Sequence, residues 1–343
     1  MTETAITKPN PETERQPAST EITKQAWPIR FLWKLADSRE LTLVILIALL
    51  VVVMTVVYPN NFPTRYNFSA VMLNAAQNSI LVAGMMLLMI GGTFDLSIGS
   101  ALALSGVVAG VVVAWWGLPA EAGLLAGIAA GAFCGLINGV IVTRININAL
   151  IATLATMAIF RGATQLVSGT GVTPIGDGFK AYGQASFLGM QSPFWFALFV
   201  VAAGWWLVAR TRYFRQFYFI GGNAHAAQLS GIRVARITLT GFIIMGALAG
   251  LAGVLGSARL NSAVVSAGIG VELSVITAAV LGGASLRGGE GSVLGGVLGV
   301  LLIALVQNAL IINGVGVYWQ NIIVGLVLLF AVSLDRFKQT HRS

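Results

Sequence analysis

Asp95 is the carboxylate of this 343-residue chain best placed to do chemistry. It lies in Gly91-Gly92-Thr93-Phe94-Asp95-Leu96-Ser97-Ile98-Gly99-Ser100, between two long apolar runs and with no cation beside it in sequence. A carboxylate in that setting has to be paired, hydrated or hydrogen-bonded. It then serves either as a gate or pathway residue, or as a cap that accepts backbone N–H groups of a helix starting near Ser97. Asn138 and Asn148, in or beside later apolar runs, join Asp95 and Ser97 as candidates for a translocation path. The same side chains serve equally to bond one helix to another. Arg161 sits inside an apolar run, where a guanidinium needs a partner or a route to water; Asp177 and Glu272 are the candidate partners.

Catalytic arrangements are missing from the sequence. The two histidines are His225 and His341, and no pair of histidines stands at helical i, i+4 spacing. That argues against an intramembrane metalloenzyme, and no metal or cofactor is expected. Gly288-Gly289-Glu290-Gly291 lacks the lysine of a phosphate-binding loop, so this chain is not expected to bind and hydrolyse ATP by that route. Cys134 is the single cysteine and reads as a small buried apolar side chain.

A second polar stretch, Gly221-Gly222-Asn223-Ala224-His225-Ala226-Ala227-Gln228-Leu229-Ser230-Gly231-Ile232, interrupts the apolar sequence. Asn223 is placed to cap a short helix and Gly231 to end it in the left-handed conformation. Arginines flank it at 210, 212, 215, 233 and 236. A capped helix in the largest basic loop suits docking to a cytosolic motor; the alternative is a solvated loop between two spans. On the docking reading Gly222, Asn223, Ala226, Ala227, Leu229, Ser230 and Gly231 form the coupling element, with Ala226 and Ala227 small enough for close contact and Leu229 as an apolar anchor.

The elements that hold these groups are set by composition. The chain is 57% hydrophobic and 9% charged, with mean hydropathy +0.85. That is too apolar for a soluble domain of this length. The expected fold is all-α, a polytopic membrane protein of about ten spans: 41–58, 70–90, 97–116, 121–142, 148–167, 193–209, 237–258, 271–287, 291–313 and 317–334. The net charge of +8 reads as positive-inside bias rather than nucleic-acid binding. With the N-terminus inside, Arg144, the arginines of 210–236, Arg287, Arg336, Lys338 and Arg342 are cytoplasmic, and only Arg65, Lys180 and Arg259 are external. Residues 1–40 read as a cytoplasmic tail with a surface-lying stretch around Trp27–Lys34. Residues 41–335 are expected to form the transmembrane domain with its cytoplasmic loop at 210–236, and 336–343 a second tail. Residues 168–192 form the longest external loop, either a partner surface or a plain connector.

Glycines are patterned as well. Gly123, Gly127, Gly131, Gly135 and Gly139 recur every four residues, as do Gly291, Gly295 and Gly299, and Gly246 with Gly250. Each set makes an inclined groove into which another helix backbone fits. The Gly-rich segments 91–100 and 282–292 are similar to each other and read as tight loops or as breaks in discontinuous helices.

Four motifs carry a resemblance across about 66–335. Gly92–Ser100 resembles the Gly-Gly-Ile-Asp-Leu-Ser-Val-Gly-Ser signature of ribose/xylose/arabinose-type ABC importer permeases. Residues 148–154, 222–232 and 281–289 resemble that family's later motifs, in order. Ala224-His225 stands where the family has an acidic pair, Gln228 where it has a basic residue and Thr93 where it has a glycine. The resemblance implies a permease subunit for a monosaccharide in the bacterial inner membrane. It also implies a second permease copy, a periplasmic sugar-binding protein, a cytosolic ATPase with two fused nucleotide-binding domains, and surrounding lipid. A furanosyl autoinducer signal or a nucleoside is the alternative substrate, and a stand-alone secondary transporter the alternative mechanism.

Overall fold

In lipid, backbone polar groups have no water to bond, so the chain satisfies them within helices. The computed structural model describes residues 39–316 and, beyond them, 318–320, 322–327, 329 and 333. Of the expected tail at 1–40, residues 1–38, with the stretch around Trp27–Lys34, lie outside the described residues, as does the tail at 336–343; Arg39 and Glu40 belong instead to the first helix. In chain order the helices are α1 Arg39–Val57, α2 Arg65–Ile90, α3 Ile98–Gly110 with a wider turn over Val111–Trp115, α4 Ala120–Thr143 and α5 Ala149–Ser168. There follow β1 Gly171–Val172, α6 Asp177–Gln184, β2 Ser186–Phe187, β3 Met190–Gln191 and α7 Ser192–Arg210. The chain continues with α8 Arg212–Gly222, α9 Ala224–Leu229, α10 Val234–Leu260, β4 Ala263–Val264, α11 Val271–Leu281 and α12 Val293–Ile312. The two-residue strands pair antiparallel, β1 with β4 and β2 with β3.

Eight of these helices are long and apolar enough to cross a membrane. The expected span 317–334 lies partly outside the described residues. The expected span 271–287 is corrected: the helix there is α11, eleven residues that stop at Leu281. At 1.5 Å per residue it covers about 16 Å, half of a bilayer core. Non-helical backbone at 261–270 precedes it and packs against the start of α3. Gly268 there meets Gly99 backbone to backbone, with the Gly99 oxygen in the way of any Cβ at Gly268.

The other broken segment is its counterpart. Leu102 of α3 lies against Gly253, and Gly106 against Ser257, so α3 begins partway along α10 rather than at its end. Residues 91–97 are therefore non-helical chain inside the bundle. The similarity between 90–93 and 281–284 is a shared helix ending. Gly92 N–H donates to Met89 and Thr93 N–H to Leu88; Gly283 N–H donates to Val280 and Ala284 N–H to Ala279. Gly92 at φ +77° and Gly283 at φ +95° both use the left-handed region that glycine tolerates.

Central packing is built on the spaced glycines. α2, α3, α4 and α10 form the core, while α1 faces outward along most of its length. Gly131 and Gly135 of α4 meet Gly246 and Gly250 of α10 so closely that a Cβ at Gly131 would sit 2.7 Å from the Gly250 backbone. Gly295 and Gly299 of α12 face Gly282 and Ala278 in the same manner. Polar clasps join the ends: Asn67 and Asn308 exchange amide hydrogen bonds of 3.1 and 2.6 Å between α2 and α12. Tyr58 bonds to Asn313 at one end of the bundle and Ser292 to Glu40 at the other. Of the two candidate partners of Arg161, Glu272 lies near enough for electrostatic attraction, without a hydrogen bond between them. The Arg161 guanidinium donates to the carbonyls of Val265 and Ala267, at 2.5 and 2.8 Å, and so pins the 261–270 segment to α5.

Gly131→Leu is expected to lower stability by at least about 1–3 kcal/mol, the usual cost of overpacking a filled contact. Gly162, where an added Cβ meets nothing within 4 Å, is the control, and Gly162→Ala should unfold at or above the wild-type temperature. Thermal unfolding of both variants in detergent makes the comparison; equal melting temperatures would remove the packing role of the α4–α10 groove.

Candidate functional site

The structure gathers the sequence-selected residues into two places. In the first, the chain enters α3 through a turn closed by Asp95, whose Oδ1 accepts from the Ser97 N–H at 2.8 Å and from the Ser97 hydroxyl at 2.7 Å. Asn138 of α4 donates through Nδ2 to Asp95 Oδ2 at 3.0 Å and to Ser97 Oγ at 2.8 Å. All three residues are buried. Asp95 is not the helix cap that its position suggested: Ser97 is the boundary residue, no side chain caps the first turn of α3, and Asp95 instead closes the turn that precedes the helix. Three donors from protein stand where water would otherwise be required. Asn148 is not part of this knot: it is exposed and caps α5, its Oδ1 accepting from Leu150 N–H at 2.9 Å.

The second place is the α8–α9 segment. Asn223 caps α9, its side-chain oxygen accepting the Ala226 N–H at 2.9 Å. Ile232 N–H returns to the Ala227 carbonyl and Gly231 N–H to the Gln228 carbonyl, with Gly231 at φ +85°. Ser230 Oγ bonds back to the Ala226 carbonyl at 3.0 Å. Leu229 is 78% exposed, and Gly222, Asn223, Ala226, Ser230 and Gly231 are exposed around it. Ala227 departs from expectation. Its side chain is buried in this chain's own apolar core, because on so short a helix one side must rest on the bundle.

Sequence reasoning missed α8 altogether. Tyr213, Phe214, Phe217 and Tyr218 recur at helical spacing, a signal that was available. Phe217 and Ile220 are buried, Phe217 against Gly91 and Gly241. Tyr218 donates its hydroxyl to the Gly291 carbonyl at 2.8 Å. At the end of α8 three glycine pairs converge. A Cβ at Gly221 would overlap the Ile90 carbonyl and the Gly289 N–H, and one at Gly288 would fall 2.7 Å from the Gly92 Cα and 2.8 Å from the Gly221 Cα. Gly289 N–H donates to the Ile90 carbonyl at 2.9 Å. The α8–α9 unit is therefore seated on the end of α2 and on the glycine-rich loop, 282–292, that follows α11.

Comparison with known proteins gives an independent view. The model of the family described as branched-chain amino acid transport system / permease component matches residues 67–332. The chain is 38% identical over 314 residues to the ribose import permease protein RbsC of Escherichia coli K12, covering 90% of this chain and 95% of that one. It is 38% identical over 294 residues to the RbsC of Bacillus subtilis, covering 84% and 90% of the two chains. Against the L-arabinose transport system permease protein AraH of Escherichia coli K12 it is 35% identical over 288 residues, 82% and 86% of the two chains. No solved structure matches the chain.

Asn138→Leu should destabilise the protein by about 1–3 kcal/mol, since it strips one donor from a buried carboxylate and another from the Ser97 hydroxyl. Asn148→Ala removes only a cap and should cost about 1 kcal/mol. Thermal unfolding of the two variants in parallel is the measurement; an Asn138 effect no larger than that of Asn148 would show that the knot bears little of the α3–α4 contact.

Proposed function

Because the chain belongs to the branched-chain amino acid transport system / permease component family, we propose that it is the membrane subunit of an ATP-driven importer for a monosaccharide of the ribose or arabinose kind. Membership makes it a multi-pass inner-membrane permease component with no catalytic centre of its own, working with an ATPase and a binding protein. The substrate class rests on the sugar named for the relatives, of which this chain spans nearly the whole length. A second permease copy and an ATPase with two fused nucleotide-binding domains complete the proposed assembly.

One observation carries the mechanism: α9 presents Leu229 outward from a doubly capped turn while its base is fixed, through α8, to the junction of Gly92, Gly221 and Gly288. An ATPase cleft that holds Leu229 and moves by a few ångström would push on the end of α2 and on the 282–292 loop together. The end of α2 opens the break at 91–97, so the same push bears on the start of α3. Asp95, Ser97 and Asn138 are then best read as the lock that keeps the α3 entry in register during this motion. Asp95 is engaged by three donors, which weighs against its use as the ion-coupling carboxylate of a stand-alone secondary transporter.

The charge distribution supports an orientation. Arginines 144, 210, 212, 215, 233, 236 and 287 lie in the loops and helix ends on the Glu40 side, which this reading makes cytoplasmic. Leu188, 76% exposed in the β2–β3 turn, and His225 on α9 are suited to test it. In a Cys134→Ser background, Leu188→Cys should react with an impermeant thiol reagent in intact spheroplasts and His225→Cys only after lysis. The reverse pattern would invert the topology.

Leu229 is also the informative site for coupling, since a charge at the buried Ala227 would damage the permease itself. Leu229→Asp should leave folding and insertion intact and reduce both transport and sugar-stimulated ATPase activity of the reconstituted complex by about tenfold or more, as expected for an interface anchor. Sugar uptake driven by an ion gradient with no ATPase present would replace this reading with the secondary transporter.

A further inference from the structure

Beside α9 the bundle ends in a cleft of about 1000 Å³. Its walls come from the end of α2 at Gly91–Thr93, the end of α4 at Val142–Asn146, the α8–α9 turn and the start of α10. Arg144, Arg233, Arg236 and Arg287 line it, and no acidic side chain does. All four arginines are exposed, so each guanidinium meets solvent in the free chain. Four like charges around one concavity repel one another and focus a positive potential into it.

We infer that this cleft is a second docking surface, one that receives an acidic segment of the ATPase subunit next to the Leu229 contact. The inference rests on the importer reading and extends it. Position selects the occupant. α9 forms part of the wall, so a partner that seats Leu229 covers the mouth of the cleft. The lining comes from the ends of the central helices α2, α4 and α10, while α1, α5 and α7 contribute nothing to it. A lipid headgroup at the bundle's rim is therefore poorly placed to enter, and the volume exceeds what a single small anion fills. The division of labour is physical. Leu229 supplies an apolar anchor that depends little on salt, and the arginines supply orientation and a faster encounter that salt screens. The uncharged α9, with Ala224, His225 and Gln228 at its face, leaves the electrostatic part of recognition to these flanking groups.

The test uses the full chain in phosphatidylcholine nanodiscs and the separately purified ATPase subunit, with association followed over a series of salt concentrations. The Arg144→Gln/Arg236→Gln pair should bind about tenfold more slowly at low ionic strength, with a flatter salt dependence, and Arg144→Lys/Arg236→Lys should stay near wild type. Both sites are exposed, and unchanged thermal unfolding of each variant keeps misfolding apart from lost docking. Wild-type association rates and salt dependence in the Gln pair overturn the inference while leaving the importer reading in place, provided Leu229→Asp still weakens binding. An effect of the Gln pair that appears only in discs containing phosphatidylglycerol assigns the cleft to lipid and also overturns it. Protection of the wild-type cleft by inorganic phosphate, with ATPase association equal in all variants, assigns it to a small anion with the same consequence. Failure of the wild-type chain to bind the ATPase at all overturns both readings.

Discussion

Where Gly92, Gly221 and Gly288 meet, three chain segments touch backbone to backbone, and no side chain fits between them. The segments come from positions far apart in sequence. In a membrane-embedded fold the non-helical backbone at each of them needs protein partners, since lipid provides none. The contact meets that need directly, as in the hydrogen bond from Gly289 N–H to the Ile90 carbonyl. It also removes slack. A flexible side chain in the gap would absorb a displacement of α8, whereas touching backbones transmit it.

The rest of the bundle is arranged around two interruptions. One leads into α3 by way of the Asp95–Ser97–Asn138 knot, and the other, at 261–270, leads into the short α11. They approach each other inside the protein at Gly99 and Gly268. Each is held by polar groups: a buried carboxylate with three donors at the first, and the half-buried Arg161 guanidinium on two carbonyls at the second. Long continuous helices such as α2 and α10, locked by their small residues, form the frame. The interrupted segments are the places where a change of conformation requires the fewest helical hydrogen bonds to break.

The readings made from residue type fared according to the range of the force involved. Asn223 and Gly231 act within one turn of α9, and both do what their chemistry suggests. The four-residue glycine spacing in α4 and α12 marked close helix contacts, because only small residues let backbones approach in this way. Two readings failed for want of tertiary information. Ala227 and Ala226 are the same residue type side by side, and only the seat of α9 on the bundle decides that one is buried and the other exposed. The span placed at 271–287 was apolar throughout most of its length, and hydropathy does not distinguish a crossing helix from a half-helix joined to a buried loop.

Sequence alone determined the class of protein, since so apolar a chain with its charges in a few loops has no soluble solution, and it determined the helix caps and the helix faces that pack closely. The tertiary structure decided which glycines meet. A glycine needed for a left-handed turn and one needed for a backbone contact are identical in sequence, and Gly288, at φ +91° and in contact with Gly92 and Gly221, serves both needs at once. It also decided that Asp95, Ser97 and Asn138 belong together while Asn148 stands apart, because an amide on a helix carries no mark of which buried carboxylate the packing of α3 against α4 will bring to it.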